Sequence, residues 1–123
     1  MKKIAIVDDY ADDRLLARVL LDDRYEILEY PTGEAALERM AADRPDLILL
    51  DIGLPGLSGF EVLKRLKADP ALRSIPVVAY TAVGTSVDRG RFLEAGFHEL
   101  IDKPVLDDVA MLAALDRVAM AAV

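Results

Sequence analysis

Five short apolar runs punctuate the chain: Ile4 to Val7, Tyr25 to Leu28, Leu47 to Leu50, Ile75 to Tyr80, and Leu100 to Ile101. Ile and Val recur in them, and three are nearly continuous rather than alternating. That pattern predicts parallel strands buried on both faces. Segments of helical period separate and follow the runs. Leu15, Leu16, Val19 and Leu20 share a face, as do Ala36, Leu37, Met40 and Ala41, and then Val62, Leu63 and Leu66. A weaker segment spans Val87 to Ala95, and an Ala-rich one runs from about Leu106 to Met120. Ser58-Gly59-Phe60-Glu61 fits a capping box at the third helix, Asp69-Pro70 ends that helix, and Gly96 stops the fourth. Strict alternation of strand and helix predicts an α/β domain over residues 1–123: a doubly wound, five-stranded parallel sheet with helices on both faces.

Composition narrows the chemistry. The chain has 123 residues, 54% of them apolar, which suits one domain with a real core. Its net charge of −7 is opposite to that of a free-standing nucleic-acid binder. It has no Cys, which excludes disulfides, thiolate metal sites and thiol nucleophiles, and a single His, at position 98. Any metal is then held by oxygen and is hard, like Mg²⁺. The apolar runs are strand-sized and the N-terminus has no signal-peptide pattern, so the reading is a cytoplasmic chain away from the membrane.

An open parallel sheet carries its site at the carboxyl ends of the strands, where strand order reverses. The polar residues there are Asp8 and Asp9, Asp51, Thr81, and Lys103 with Pro104. Other acidic doublets have plainer roles. Asp12-Asp13 and Asp107-Asp108 sit near helix starts, where the macrodipole favours anions, and Asp22-Asp23 lies beside a turn. Asp9 as a helix cap and Asp51 as a solvated loop residue remain one reading. Three carboxylates converging on a cation is the other, since such groups repel one another until a cation joins them. Lys103 favours the second reading, and Pro104 constrains the peptide after it. Thr81 is either an N-cap or a hydroxyl that donates to an anion. Taken together these groups make an anion site with its own nucleophile. A carboxylate such as Asp51 can attack a phosphoryl group and form an aspartyl phosphate.

The chain resembles the receiver domain of bacterial two-component response regulators. The likeness runs through Ile-Val-Asp-Asp at 6–9, Thr-Gly-Glu-Ala-Ala-Leu at 32–37, the stretch from Pro45 to Gly59, Pro-Val-Val-Ala-Tyr-Thr-Ala at 76–82, and Lys-Pro at 103–104. The resemblance implies a flavodoxin-like fold. It implies that Asp51 is the phosphoacceptor, taking its phosphoryl group from a phosphohistidine on a sensor histidine kinase or histidine phosphotransferase. It also implies that Asp8, Asp9, Asp51 and the Gly53 backbone carbonyl hold Mg²⁺, that Thr81 is the switch hydroxyl, and that Lys103 contacts the phosphate.

Leu100 departs from the family pattern, which has Tyr or Phe three residues before the Lys; a packing role is expected for it. Gly90 weakens the fourth helix, at a cost of roughly 1 kcal/mol relative to Ala. The last helix is apolar or Ala nearly all round, which raises a partner surface or a dimer through the fourth helix, fifth strand and fifth helix against simple helix-forming Ala. Tyr10, Val83 and Gly53 flank the site and bear on water access. His98 is expected at a surface or edge.

The leading expectation is a phosphorylation-dependent switch that is not an enzyme and signals through a downstream protein. With no output segment after the fifth helix, it is either a stand-alone regulator or a receiver cut from a longer protein. Two alternatives stand beside it. A phosphate-independent pseudo-receiver draws on Leu100. An aspartyl-phosphate phosphatase draws on the carboxylates, but Gly53 stands where a second carboxylate belongs.

Overall fold

A computed structural model describes residues 1–81, 89–102 and 108–121. Strand and helix alternate as β1 (Lys2–Val7), α1 (Ala11–Leu21), β2 (Tyr25–Tyr30), α2 (Gly33–Asp43) and β3 (Leu47–Asp51). The order continues with α3 (Gly59–Ala68), β4 (Val77–Thr81), α4 (Arg89–Ala95), β5 (Glu99–Asp102) and α5 (Asp108–Ala121). All five strands are parallel, in the order β2-β1-β3-β4-β5. This is the doubly wound sheet that the alternation predicts.

The continuous apolar runs explain the centre of the sheet. Ile4 to Val7 and Leu47 to Leu50 are wholly buried, because helices cover both faces. Successive side chains point to opposite faces, so each strand feeds two cores. Ala5, Val7, Ile48 and Leu50 pack with Ala36, Met40, Val62, Leu63 and Leu66 of α2 and α3. Ile4, Ile6, Leu47 and Leu49 pack with Ala17 and Leu21 of α1 and Met111, Leu115 and Val118 of α5.

Local signals set the helix ends. Ser58 Oγ accepts the Glu61 N–H at 3.3 Å, which supplies one half of the expected capping box. Thr32 Oγ1 caps α2 in the same way, accepting from Ala35 at 3.0 Å. Asp69 follows the last residue of α3, and Gly96 takes φ +117° after α4, a conformation that L side chains disfavour. Asp12 and Asp13 lie in the first turn of α1, and Asp22 and Asp23 are exposed at its end.

The first helix corrects the sequence reading. Leu15, Leu16 and Val19 do not face the sheet; they are 59%, 37% and 66% exposed. The inward stripe is Arg14, Ala17, Arg18 and Leu21, and Ala17 and Leu21 are fully buried. Both arginines pair with Glu29 on β2, which lets their charged groups sit on the same side of the helix as the buried Ala17 and Leu21. Of the expected face only Leu20 packs against the core; charged residues on a helix read as its solvent face, which hid the inward stripe beside it.

Smaller differences lie at the edges. β4 starts at Val77 rather than Ile75, because the Ile75 N–H is spent on a turn to Leu72 O at 3.0 Å. Pro76 then has no N–H for the ladder, although its carbonyl accepts from Ile48 at 3.0 Å. β5 extends from Glu99 to Asp102, one residue beyond the apolar pair at each end. In α5 the apolar positions Met111, Ala114, Leu115, Val118 and Ala119 are buried, whereas Met120 is 75% exposed. Among the described side chains of α5, those five therefore cover the sheet, while Ala113 and Met120 do not. Leu100 packs against the core shared with α2 and α3, as expected of it.

Candidate functional site

The register of the central strands builds the site. Val7 pairs with Leu50, so the next residues, Asp8 and Asp51, emerge side by side at the carboxyl edge. β1 and β3 are also where strand order reverses, since the chain passes from β1 to β2 on one side and to β3 on the other. Asp9 follows Asp8 around the turn. One carboxylate oxygen from each of Asp8, Asp9 and Asp51 lies within 4.8 Å of the other two. Asp8 is fully buried, Asp51 is 8% exposed and Asp9 is exposed, so the cluster opens to solvent on the Asp9 side.

Neighbouring backbone groups orient these side chains. Asp8 Oδ1 accepts the Tyr10 N–H at 3.0 Å, an Asx-type turn that bends the chain toward α1. Asp51 Oδ1 accepts the Gly53 N–H at 3.0 Å. Gly53 is exposed, with φ outside the left-handed region, and a Cβ built there would meet only Asp51 Oδ1, at 3.8 Å. Tyr10 is 58% exposed beside the cluster. The donor set is oxygen throughout, which suits a hard divalent cation such as Mg²⁺.

Thr81 ends β4 and pairs in register with Asp102 of β5, which puts its backbone at the same carboxyl edge. The Thr81 side chain, and Val83, Lys103 and Pro104 altogether, lie outside the described residues. His98 sits at the edge of the sheet. Its N–H donates to Val77 O at 2.8 Å and its Nδ1 accepts the Val77 N–H at 3.3 Å. Partial burial of the ring and the nearby Lys67 ammonium both hold the imidazole below its ordinary pKa.

Two residues near the site are invisible to motif reading. Arg14 Nη1 donates to the Asp8 carbonyl at 2.7 Å, and Arg14 Nε donates to Glu29 Oε1 at 3.2 Å. Nothing in the sequence ties position 14 to position 29. The link appears once Ile6 is paired with Glu29 in the β1–β2 register.

Three comparisons bear on this geometry. "Response regulator PleD" of Caulobacter vibrioides is 44% identical over 112 residues, which is 90% of this chain and 24% of that protein. The chain thus spans about a quarter of PleD's length. "Polar-differentiation response regulator DivK" of Brucella anthropi is 42% identical over 105 residues, 85% of each chain. The receiver domain of sensor histidine kinase PA1611 from Pseudomonas aeruginosa, solved with a magnesium ion coordinated in the active site cleft, superposes with a TM-score of 0.86. That likeness has 26% identity and covers 97% of this chain and 98% of the other. Receiver domains of this kind act as signalling switches in two-component systems and interact with histidine kinases or phosphotransfer proteins. With residues 4–116 matching its pattern from β1 into α5, the chain belongs to the response regulator receiver domain family.

Proposed function

We propose that residues 1–123 act as a phosphorylation-dependent switch in which Asp51 is the phosphoacceptor. The observation that carries this reading is the cluster of Asp8, Asp9 and Asp51 oxygens within 4.8 Å at the switch point of the sheet. Asp8, Asp9, Asp51 and the Gly53 carbonyl are the residues that would hold Mg²⁺. Once bound, Mg²⁺ would neutralise charge on the phosphoryl and carboxylate oxygens. The magnesium in the cleft of the Pseudomonas receiver domain supports that assignment.

In the proposed reaction an Asp51 carboxylate oxygen attacks the phosphorus of a phosphohistidine on a kinase or phosphotransferase. The new O–P bond forms as the P–N bond breaks, and the imidazole keeps the electron pair and takes up a proton. Thr81 and Lys103 are assigned to the remaining phosphoryl oxygens. In-line transfer of this kind needs little beyond positioning and charge neutralisation. The product is a modified protein rather than a released substrate, so the chain works as a switch and its output passes to another protein.

The exposed Leu15, Leu16 and Val19 on α1, the helix that begins directly after Asp8, Asp9 and Tyr10, would give such a donor an apolar surface. Phosphoramidate, a small donor with a P–N bond, tests the chemistry without a partner. In the presence of Mg²⁺ it should give a phosphoryl adduct that hydroxylamine releases, as it does an acyl phosphate. An adduct resistant to hydroxylamine, or one formed equally well in EDTA, would contradict the reading.

A further inference from the structure

Arg14 stands directly behind the acidic turn. Its Nη1 donates to the Asp8 carbonyl at 2.7 Å while its Nε donates to Glu29 Oε1 at 3.2 Å. Arg18 grips the other Glu29 oxygen through Nε at 2.9 Å. The Arg14 side chain is only 18% exposed, so this contact is largely shielded from solvent. The Asp8 N–H is held separately, donating to the Tyr30 carbonyl at 3.1 Å. Asp8 is therefore fastened at both backbone groups. β2 holds one, and an arginine on α1, itself aimed by a β2 carboxylate, holds the other.

The Asp8 carbonyl belongs to the peptide that joins Asp8 to Asp9. That peptide is planar, so fixing its oxygen fixes the orientation of the whole peptide plane between the two residues, the Asp9 N–H included. We propose that Arg14 is a positioning residue for the cation site, setting how the Asp8 and Asp9 carboxylates face a divalent ion. This rests on the reading of Asp8, Asp9 and Asp51 as that site. The guanidinium suits the task because its fork serves two acceptors in one plane; a lysine ammonium offers a flexible point charge instead. Charge alone predicts the opposite sign. A cation at position 14 repels Mg²⁺, so removing it would tighten binding if electrostatics were its whole effect.

Mg²⁺ titration of the full chain, followed by calorimetry with far-UV circular dichroism as a check on folding, separates the two. Arg14→Met is expected to weaken Mg²⁺ binding roughly tenfold, as loss of an outer partner of a metal ligand commonly does. Arg14→Lys should weaken it as well, although it keeps the charge. Arg18→Lys, which shares Glu29 but does not touch Asp8, should leave the affinity unchanged. Unchanged or tighter binding by folded Arg14→Met, or an equal loss in Arg18→Lys, would overturn the proposal. If Arg14→Met does not fold, Arg14→Lys, which keeps the charge, carries the test, with weaker Mg²⁺ binding expected and wild-type affinity overturning the proposal. A wild-type chain that binds no Mg²⁺ would instead overturn the cation reading on which this rests.

Discussion

Gly59 shows how tightly single residues set the acceptor. A Cβ at this position would lie 2.6 Å from Ile52 Cα and 2.7 Å from the Asp51 carbonyl oxygen, both backbone atoms that have little room to yield. Gly59→Ala should therefore destabilise the fold by about 1–3 kcal/mol, the usual range for overpacking, measured by urea unfolding. Gly53→Ala is the contrasting case, since its Cβ meets nothing closer than 3.8 Å. Its stability should stay within about 0.5 kcal/mol of wild type in the same assay. At this scale the sequence was legible where a residue's role follows from its place after a strand. Asp8, Asp9 and Asp51 each follow a buried apolar run, and the structure clusters them. Arg14 was not legible, because its partners Asp8 and Glu29 meet only through sheet pairing and a side chain reaching across it.

Among the elements, α1 is the one whose type was readable and whose orientation was not. Amphipathic period finds a helix, but two stripes competed here; the one with Ala17 and Leu21 is buried, and Arg14 and Arg18 pair with Glu29 beside it. The consequence is measurable. Leu21→Ala removes a fully buried side chain and should cost about 2–5 kcal/mol. A Leu15→Ser, Val19→Ser double variant, altered at exposed positions, should unfold near the wild-type urea midpoint. It should slow phosphoryl transfer from a phosphohistidine protein donor while leaving labelling by acetyl phosphate unchanged. Equal slowing with both donors would remove α1 from the docking role.

The join between β4 and the turn before β5 has a titratable part. Neutral His98 accepts the Val77 N–H, and its folded pKa lies below the ordinary 6.5. Its contribution is therefore present above the ordinary His range and is lost as pH falls through that range toward the folded value. His98→Gln should flatten the fall in unfolding free energy as pH drops below the ordinary His value of 6.5. A wild-type slope in that variant would show that His98 is not the group responsible.

For the whole molecule, the architecture was readable because the strands are buried on both faces and the punctuation between them is strong. Continuous runs such as Leu47 to Leu50 fit few other structures, and Gly, Pro, Ser and Thr mark the helix ends. The strand order and the β1–β3 register that brings Asp8 beside Asp51 came only with the structure. The net charge of −7 also takes on an uneven meaning. Asp22 and Asp23 are exposed beside a turn and Asp12 and Asp13 serve a helix start, whereas Asp8 and Asp51 are buried together at the switch point of the sheet.

The central claim is that this acidic edge receives a phosphoryl group on one carboxylate. Intact-mass measurement after incubation with acetyl phosphate and Mg²⁺ tests it directly, on the wild-type chain and on Asp51→Asn. The account predicts one added phosphoryl group on the wild-type chain and none on Asp51→Asn, with both proteins folded by circular dichroism. Equal labelling of the two would remove Asp51 from its role, and an unlabelled wild-type chain would contradict the account as a whole.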